Sequence, residues 1–184
     1  MATMASQLRK PRPPLDPAKL EELAISYVGR FATSRSKLKA YLARKLRERG
    51  WAGDGEPPIE TLADRLVQLG YIDDRAYALA KANSLTNRGY GSRRVRQALA
   101  QAGINEEDSG DARDLAANQA YDAALRYARR RSLGPYATSK PGPHDRERAI
   151  AAMIRAGHGY SIARAVIDLG PGEFPDCEGL PNGG

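Results

Sequence analysis

Gly50, Gly103 and Gly157 follow the same pattern of apolar residues, and that pattern constrains the fold more than any other feature. Leu42, Leu46 and Gly50 stand four residues apart, as do Val95, Leu99 and Gly103, and again Ala149, Met153 and Gly157. The three glycines are 53 and 54 residues apart. Apolar side chains at four-residue intervals share one helix face, and glycine readily takes the left-handed conformation that ends a helix. A second landmark agrees: Leu62, Leu66, Leu69 and Gly70 recur at an offset of 100 as Ile162, Val166, Leu169 and Gly170. That offset is two periods less the extra loop Gly53–Pro58. In a chain of 184 residues this predicts three copies of a three-helix unit. Each unit holds only a small core, so neighbours must pack on one another. The expected fold is all-α, three tandem three-helix repeats in an elongated, curved array.

Local signals place the helices. Asp16 can cap the first and Pro17 suits its first position. Leu20, Leu23, Ala24, Tyr27, Val28 and Phe31 form one stripe, predicting a helix over 17–31. Thr33 or Ser34 caps the next, with Leu38, Leu42 and Leu46 inward. The third carries Ile59, Leu62, Leu66 and Leu69 and ends at Gly70. Asp73 caps a fourth that stops near Gly89, and Ser92 caps a fifth that ends at Gly103, where Ile104 packs back. A short sixth helix starts at Asn105–Glu107 and breaks near Ser109-Gly110. A seventh runs from Asp114 to Ser132, and two more span 145–156 and 160–169. The repeats are expected at 17–71, 72–113 and 114–170, inside a body of 16–171. The tails, 1–15 and 172–184, are poor in apolar residues or rich in Pro and Gly and are expected to be disordered.

Apolar residues make up 41% of the chain, and no run approaches the roughly 20 residues that span a bilayer. The start lacks the apolar stretch of a signal peptide, and the single cysteine, Cys177, can form no internal disulfide. These features point to the cytoplasm and away from a membrane. The formal charge is +7 and uneven: residues 1–50 carry 12 Lys/Arg against 4 Asp/Glu, whereas 51–110 carry 7 against 9. A basic first third invites a polyanion, nucleic acid first, although a solubilising face has the same composition.

Catalytic chemistry finds no support. Asp73 and Asp74 precede a helix and read as caps rather than paired carboxylates. His144 and His158 are far apart, with no Cys or carboxylate spacing to complete a metal site, so neither a metal nor any other cofactor is expected. Cys177 lacks an activating neighbourhood. No phosphate-binding glycine loop or nucleophile–base pair is present. Tyr27, Tyr41, Tyr71, Tyr77 and Tyr90 fall mostly at core or helix-junction positions.

Two segments carry a family resemblance. Leu62-Ala-Asp-Arg-Leu-Val-Gln-Leu-Gly-Tyr-Ile-Asp-Asp-Arg-Ala-Tyr77 resembles the junction of the first two repeats of RecX proteins. Arg88-Gly-Tyr-Gly-Ser-Arg-Arg-Val-Arg-Gln-Ala-Leu-Ala-Gln-Ala-Gly-Ile104 is similar to that family's Arg-Gly-x-Gly-x-Arg-x-Ile/Val-Arg-x-x-Leu segment. Arg155–Val166 resembles a third-repeat helix pair. Departures are a longer second helix, His158 where an aromatic is usual, and Asn105–Leu115. The resemblance implies a cytoplasmic, monomeric, non-enzymatic regulator of the RecA recombinase in DNA repair, recombination and the SOS response. Such a protein binds RecA or its DNA filament and suppresses ATP hydrolysis, strand exchange and co-protease activity. It also directs attention to Arg88, Arg93, Arg94 and Arg96, while charge density by itself adds Arg44, Lys45 and Arg47, which with Lys37, Lys39 and Arg49 make the second helix the most basic. These are the candidate contacts to the RecA filament or to single- or double-stranded DNA, against the plainer reading of solvated charge. Arg129–Arg131 read as complements to a helix dipole. The alternative function is a helix-turn-helix DNA-binding protein, with Ser92–Ala102 as recognition helix.

Overall fold

In the computed structural model, which describes residues 13–174, every regular element is helical. The chain divides into two units, 1–73 and 74–184.

The first unit contains α1 (Pro17–Val28), α2 (Arg35–Arg49) and α3 (Ile59–Gln68). Asp16 caps α1, its carboxylate accepting from the Lys19 amide at 2.8 Å, and Pro17 follows at a position that needs no donor. Of the two candidate caps for α2 it is Ser34, whose Oγ accepts from the Lys37 amide at 3.2 Å. Leu20, Ala24, Leu38, Leu42, Leu62, Leu66 and Ile72 close a core of their own. Three expectations need correction here. α1 ends at Val28, because the chain turns at Gly29 and Arg30, and Phe31 is 58% exposed rather than inward. Leu69 is 59% exposed; Ile72, two residues past Gly70, fills the core in its place. Leu15, assigned to a disordered tail, is fully buried, its N–H donating to Gly50 O and its C=O accepting from Ala52 N.

The second unit contains α4 (Asp74–Asn87), α5 (Ser92–Gln101), α6 (Gly110–Asn118), α7 (Ala120–Arg131), a single 3-10 turn (Gly134–Tyr136), α8 (Pro143–Arg155) and α9 (Tyr160–Asp168). It holds two cores. Ala78, Ala82, Val95, Leu99, Ile104, Ala112 and Ala116 join α4–α6; Ala124, Ala128, Ile150, Met153, Ala163 and Val166 join α7–α9. With the first unit this makes three three-helix repeats, each around its own core. The cap of α5 is Gly91 and not Ser92, which is the first helical residue. The expected seventh helix is two: the break falls at Gln119, not at Ser109-Gly110, where α6 in fact begins. Gln119 is held from a distance, its Oε1 accepting from the buried Thr86 hydroxyl of α4 at 2.9 Å.

The glycine repeat holds at the level of backbone angles. Gly50, Gly103 and Gly157 have φ of +82°, +68° and +97°, where a side chain would be strained. After Gly103 and Gly157 the next amide, of Ile104 and of His158, donates back to Leu99 and Met153. Gly50 instead leads into the extended segment that pairs with Leu15. The second landmark is partial: Gly70 has φ +74°, but Gly170 is not left-handed. Residues 172–174 fold back, with Gly172 N donating to Pro135 O and Phe174 edge-on to Tyr136. The remaining tail expectations, and Cys177, lie outside the described residues.

Candidate functional site

The segment Arg88–Gly91 links α4 to α5, and its glycines are packing devices. Gly89 has φ +78°, and a Cβ there would meet Tyr127 N at 2.7 Å. A Cβ on Gly91 would lie 2.3 Å from the Gly157 carbonyl, and one on Gly157 would lie 2.5 Å from Arg94 N. Only bare backbone allows this approach, and hydrogen bonds complete it. Gly91 N donates to Ala156 O at 3.0 Å and Arg93 N to Gly157 O at 3.1 Å. His158 Nε2–H donates to Gly89 O at 3.1 Å, and its ring stands edge-on to Tyr127. The glycines of the Arg-Gly-x-Gly motif therefore build a seam between the second and third repeats, which fixes where α5 begins.

That seam sets out the arginines. Arg88, Arg93, Arg94 and Arg96 are all exposed. Arg93 and Arg96, three apart on α5, reach one pocket of about 290 Å³ that also takes in Ser92, Arg113, Gly159 and Ser161. Arg113 is held by Glu106 at 3.0 Å. Arg94 is not in that pocket; its guanidinium bonds Gln97. Arg88 lies over the Tyr90 ring, 5.5 Å from its centre, while its carbonyl accepts from Arg130. Of the neighbouring arginines at the end of α7, Arg131 covers Tyr127.

The second group of candidates lies in the first unit. α2 divides by face. Arg35 and Lys39 pair with Glu60 on α3, and Arg35 also with Asp64. Arg44 and Arg47 turn toward α1, lining a groove of about 640 Å³ with Tyr27, Phe31 and Tyr41. Lys45 does not line the groove; its ammonium stands 5.8 Å from the centre of the Tyr41 ring and is paired with Glu48 at 2.8 Å. Sequence reasoning missed the aromatic part of this groove. Tyr27 and Tyr41 are half-buried and stacked on each other with centroids 4.2 Å apart, rather than lost in the core. The available signal was an aromatic pair, Tyr27 and Phe31, at the end of α1 opposite an aromatic inside the most basic helix.

Among the described residues, no three His, Cys, Asp or Glu side chains gather as a metal site, and no helix is long and apolar enough to cross a membrane.

Comparison with known proteins bears on this arrangement. A family model described as RecX, second three-helix domain, matches residues 73–112, which span α4, the glycine seam, α5 and the start of α6. The regulatory protein RecX of Myxococcus xanthus (strain DK1622) is 35% identical over 174 residues, covering 89% of this chain and 91% of its own. The chain belongs to the RecX family. RecX of Mycobacterium sp. (strain KMS) is 32% identical over 163 residues, covering 86% of this chain and 87% of its own. The crystal structure of RecX from Lactobacillus salivarius superimposes with a TM-score of 0.59 at 20% identity, over 82% of this chain and 94% of that one. The relatives are regulatory proteins by name, and the fold of the solved RecX is the all-helical one described above.

Proposed function

We propose that this RecX-family chain acts in the cytoplasm as a monomeric, non-enzymatic modulator of RecA, binding the recombinase or its DNA filament and restraining ATP hydrolysis, strand exchange and co-protease activity. The observation that carries this reading is the placement of Arg93 and Arg96 in one pocket, on a helix whose start is built into the glycine seam. A nucleoprotein filament offers repeating phosphates and acidic protein edges, and cations mounted on rigid backbone meet such a surface with little ordering cost. Arg88, over the Tyr90 ring, and Arg44 and Arg47 on α2 offer the same chemistry.

What counts against a helix-turn-helix reading is the start of α5. A recognition helix leads with its N-terminal residues into the major groove. Here the backbone of that first turn is tied to the third repeat, Gly91 N and Arg93 N donating to Ala156 and Gly157, and only the side chains of Arg93 and Arg94 face outward.

The test is RecA ATPase on single-stranded DNA. The protein at sub-stoichiometric ratio is expected to lower turnover, and the triple variant Arg88→Ala, Arg93→Ala, Arg96→Ala to lose this effect while keeping its helical circular dichroism. Unchanged ATPase at molar excess of the native protein defeats the proposal.

A further inference from the structure

We infer that the groove between α1 and α2 is a binding site for single-stranded nucleic acid, in which the exposed Phe31, backed by the stacked Tyr27 and Tyr41, takes a base and Arg30, Lys37, Arg44 and Arg47 take the backbone. This goes beyond modulation of RecA, because it requires only the first unit and no recombinase.

Two independent features meet there. The first is charge. Four cationic side chains line the groove and no carboxylate does. The acids nearest to α2 are engaged elsewhere: Glu60 and Asp64 sit with Arg35 and Lys39 on the α3 side, and Glu48 is closest to Lys45, with Arg44 at 3.8 Å. The second is a set of ring faces. Tyr27 and Tyr41 are nearly parallel, with 14° between their planes. Phe31 extends the row from Tyr27 at 5.5 Å and is 58% exposed. Arg44 also lies over Tyr41, 5.6 Å from its centre, so a cation and a ring are presented together. An exposed phenylalanine beside a stacked tyrosine pair has unused apolar area.

The combination selects the occupant. An acidic peptide answers the cations but leaves the rings unused. A duplex answers the cations but keeps its bases stacked on one another. A single strand presents phosphates and π-faces at once, and grooves for it combine basic side chains that track the backbone with aromatic platforms.

The experiment is fluorescence anisotropy of a labelled oligothymidylate with the full-length protein and no RecA. Binding is expected, weakening steeply with salt. Phe31→Ala, a change at an exposed site, should lower affinity about tenfold, the effect of losing one base–aromatic stack, and Phe31→Trp should restore it. Arg30→Ala with Arg47→Ala should flatten the slope of log affinity against log salt by about 1.4, since each single-strand phosphate neutralised by a side chain contributes about 0.7. Absence of binding at low salt overturns the inference. So does a duplex of equal length binding as tightly with Phe31→Ala neutral, which would reduce the groove to a charged patch. Polyglutamate competing as well as the oligonucleotide would also overturn it. Since RecA is absent, none of these outcomes bears on the ATPase test above.

Discussion

His158 occupies the tightest part of the glycine seam, 2% exposed, with Nε2–H donating to the Gly89 carbonyl and Tyr127 against its ring. Burial pushes its pKa below the ordinary 6.5, and the hydrogen bond to Gly89 opposes this only in part. The sign of the linkage follows. The unfolded chain takes up the proton near 6.5 and the folded chain only at lower pH, so between those values unfolding binds a proton. Stability from this group is complete above about pH 6.5 and is lost as pH falls toward the folded-state pKa. Asp16 and Asp168 are held below the usual carboxylate range, Asp16 first by the Lys19 amide and Asp168 first by the Arg146 guanidinium. Their effects therefore belong to more acid solution. Urea midpoints measured between pH 8 and pH 5 should hold on the alkaline side and decline from about 6.5, and His158→Phe should remove that decline. A decline of equal size in the variant would place its origin elsewhere. The aromatic replacement keeps the ring contact with Tyr127 and gives up only the proton and the bond to Gly89.

Individual helices are decided partly by adjacent residues and partly by distant ones. α2 is capped by Ser34, a buried side chain whose hydroxyl accepts from the first-turn amide of Lys37. Ser34→Ala should cost about 1 kcal/mol in chemical denaturation, whereas Ser34→Gly should recover most of it. Equal losses in both variants would mean that the hydroxyl matters for something other than the cap. Caps of this kind are readable in the sequence, as are the glycine stops at Gly50, Gly103 and Gly157, because everything they depend on lies within one turn of helix. The errors have a different origin. Gly91 displaces Ser92 as the cap of α5 because Gly157, far along the chain, leaves no room for a side chain there. The helix break falls at Gln119, whose side chain is met by Thr86 from α4, a contact no local pattern announces. The candidate site divides in the same way. The spacing of Arg93 and Arg96 already puts them on one face, but the aromatic groove requires α1 and α2 to be set side by side, which no local pattern specifies.

At the scale of the whole chain, three copies of one pattern have not become three equivalent parts. The first repeat has a core of large side chains, six leucines and Ile72 with two alanines, and its glycine, Gly50, turns the chain onto Leu15. The second and third have alanine-rich cores and are joined through the backbone at Gly91, Arg93 and Gly157. Stability should therefore be distributed by unit: 74–168 loosening as a pair, 15–72 by itself. Leu42→Ala removes a fully buried side chain from the first core, a loss of about 2–5 kcal/mol, which is a large share of the 5–15 kcal/mol typical of a domain. Amide hydrogen exchange should then show protection falling across α1–α3 and unchanged in α4–α9. Gly91→Ala should give the converse pattern, loosening α4–α9 together, because its Cβ meets backbone that has no rotamer by which to yield. Uniform loss in every helix from either substitution would mean that all three cores melt as one, and that the repeat pattern describes ancestry of the helices rather than how the molecule is held together.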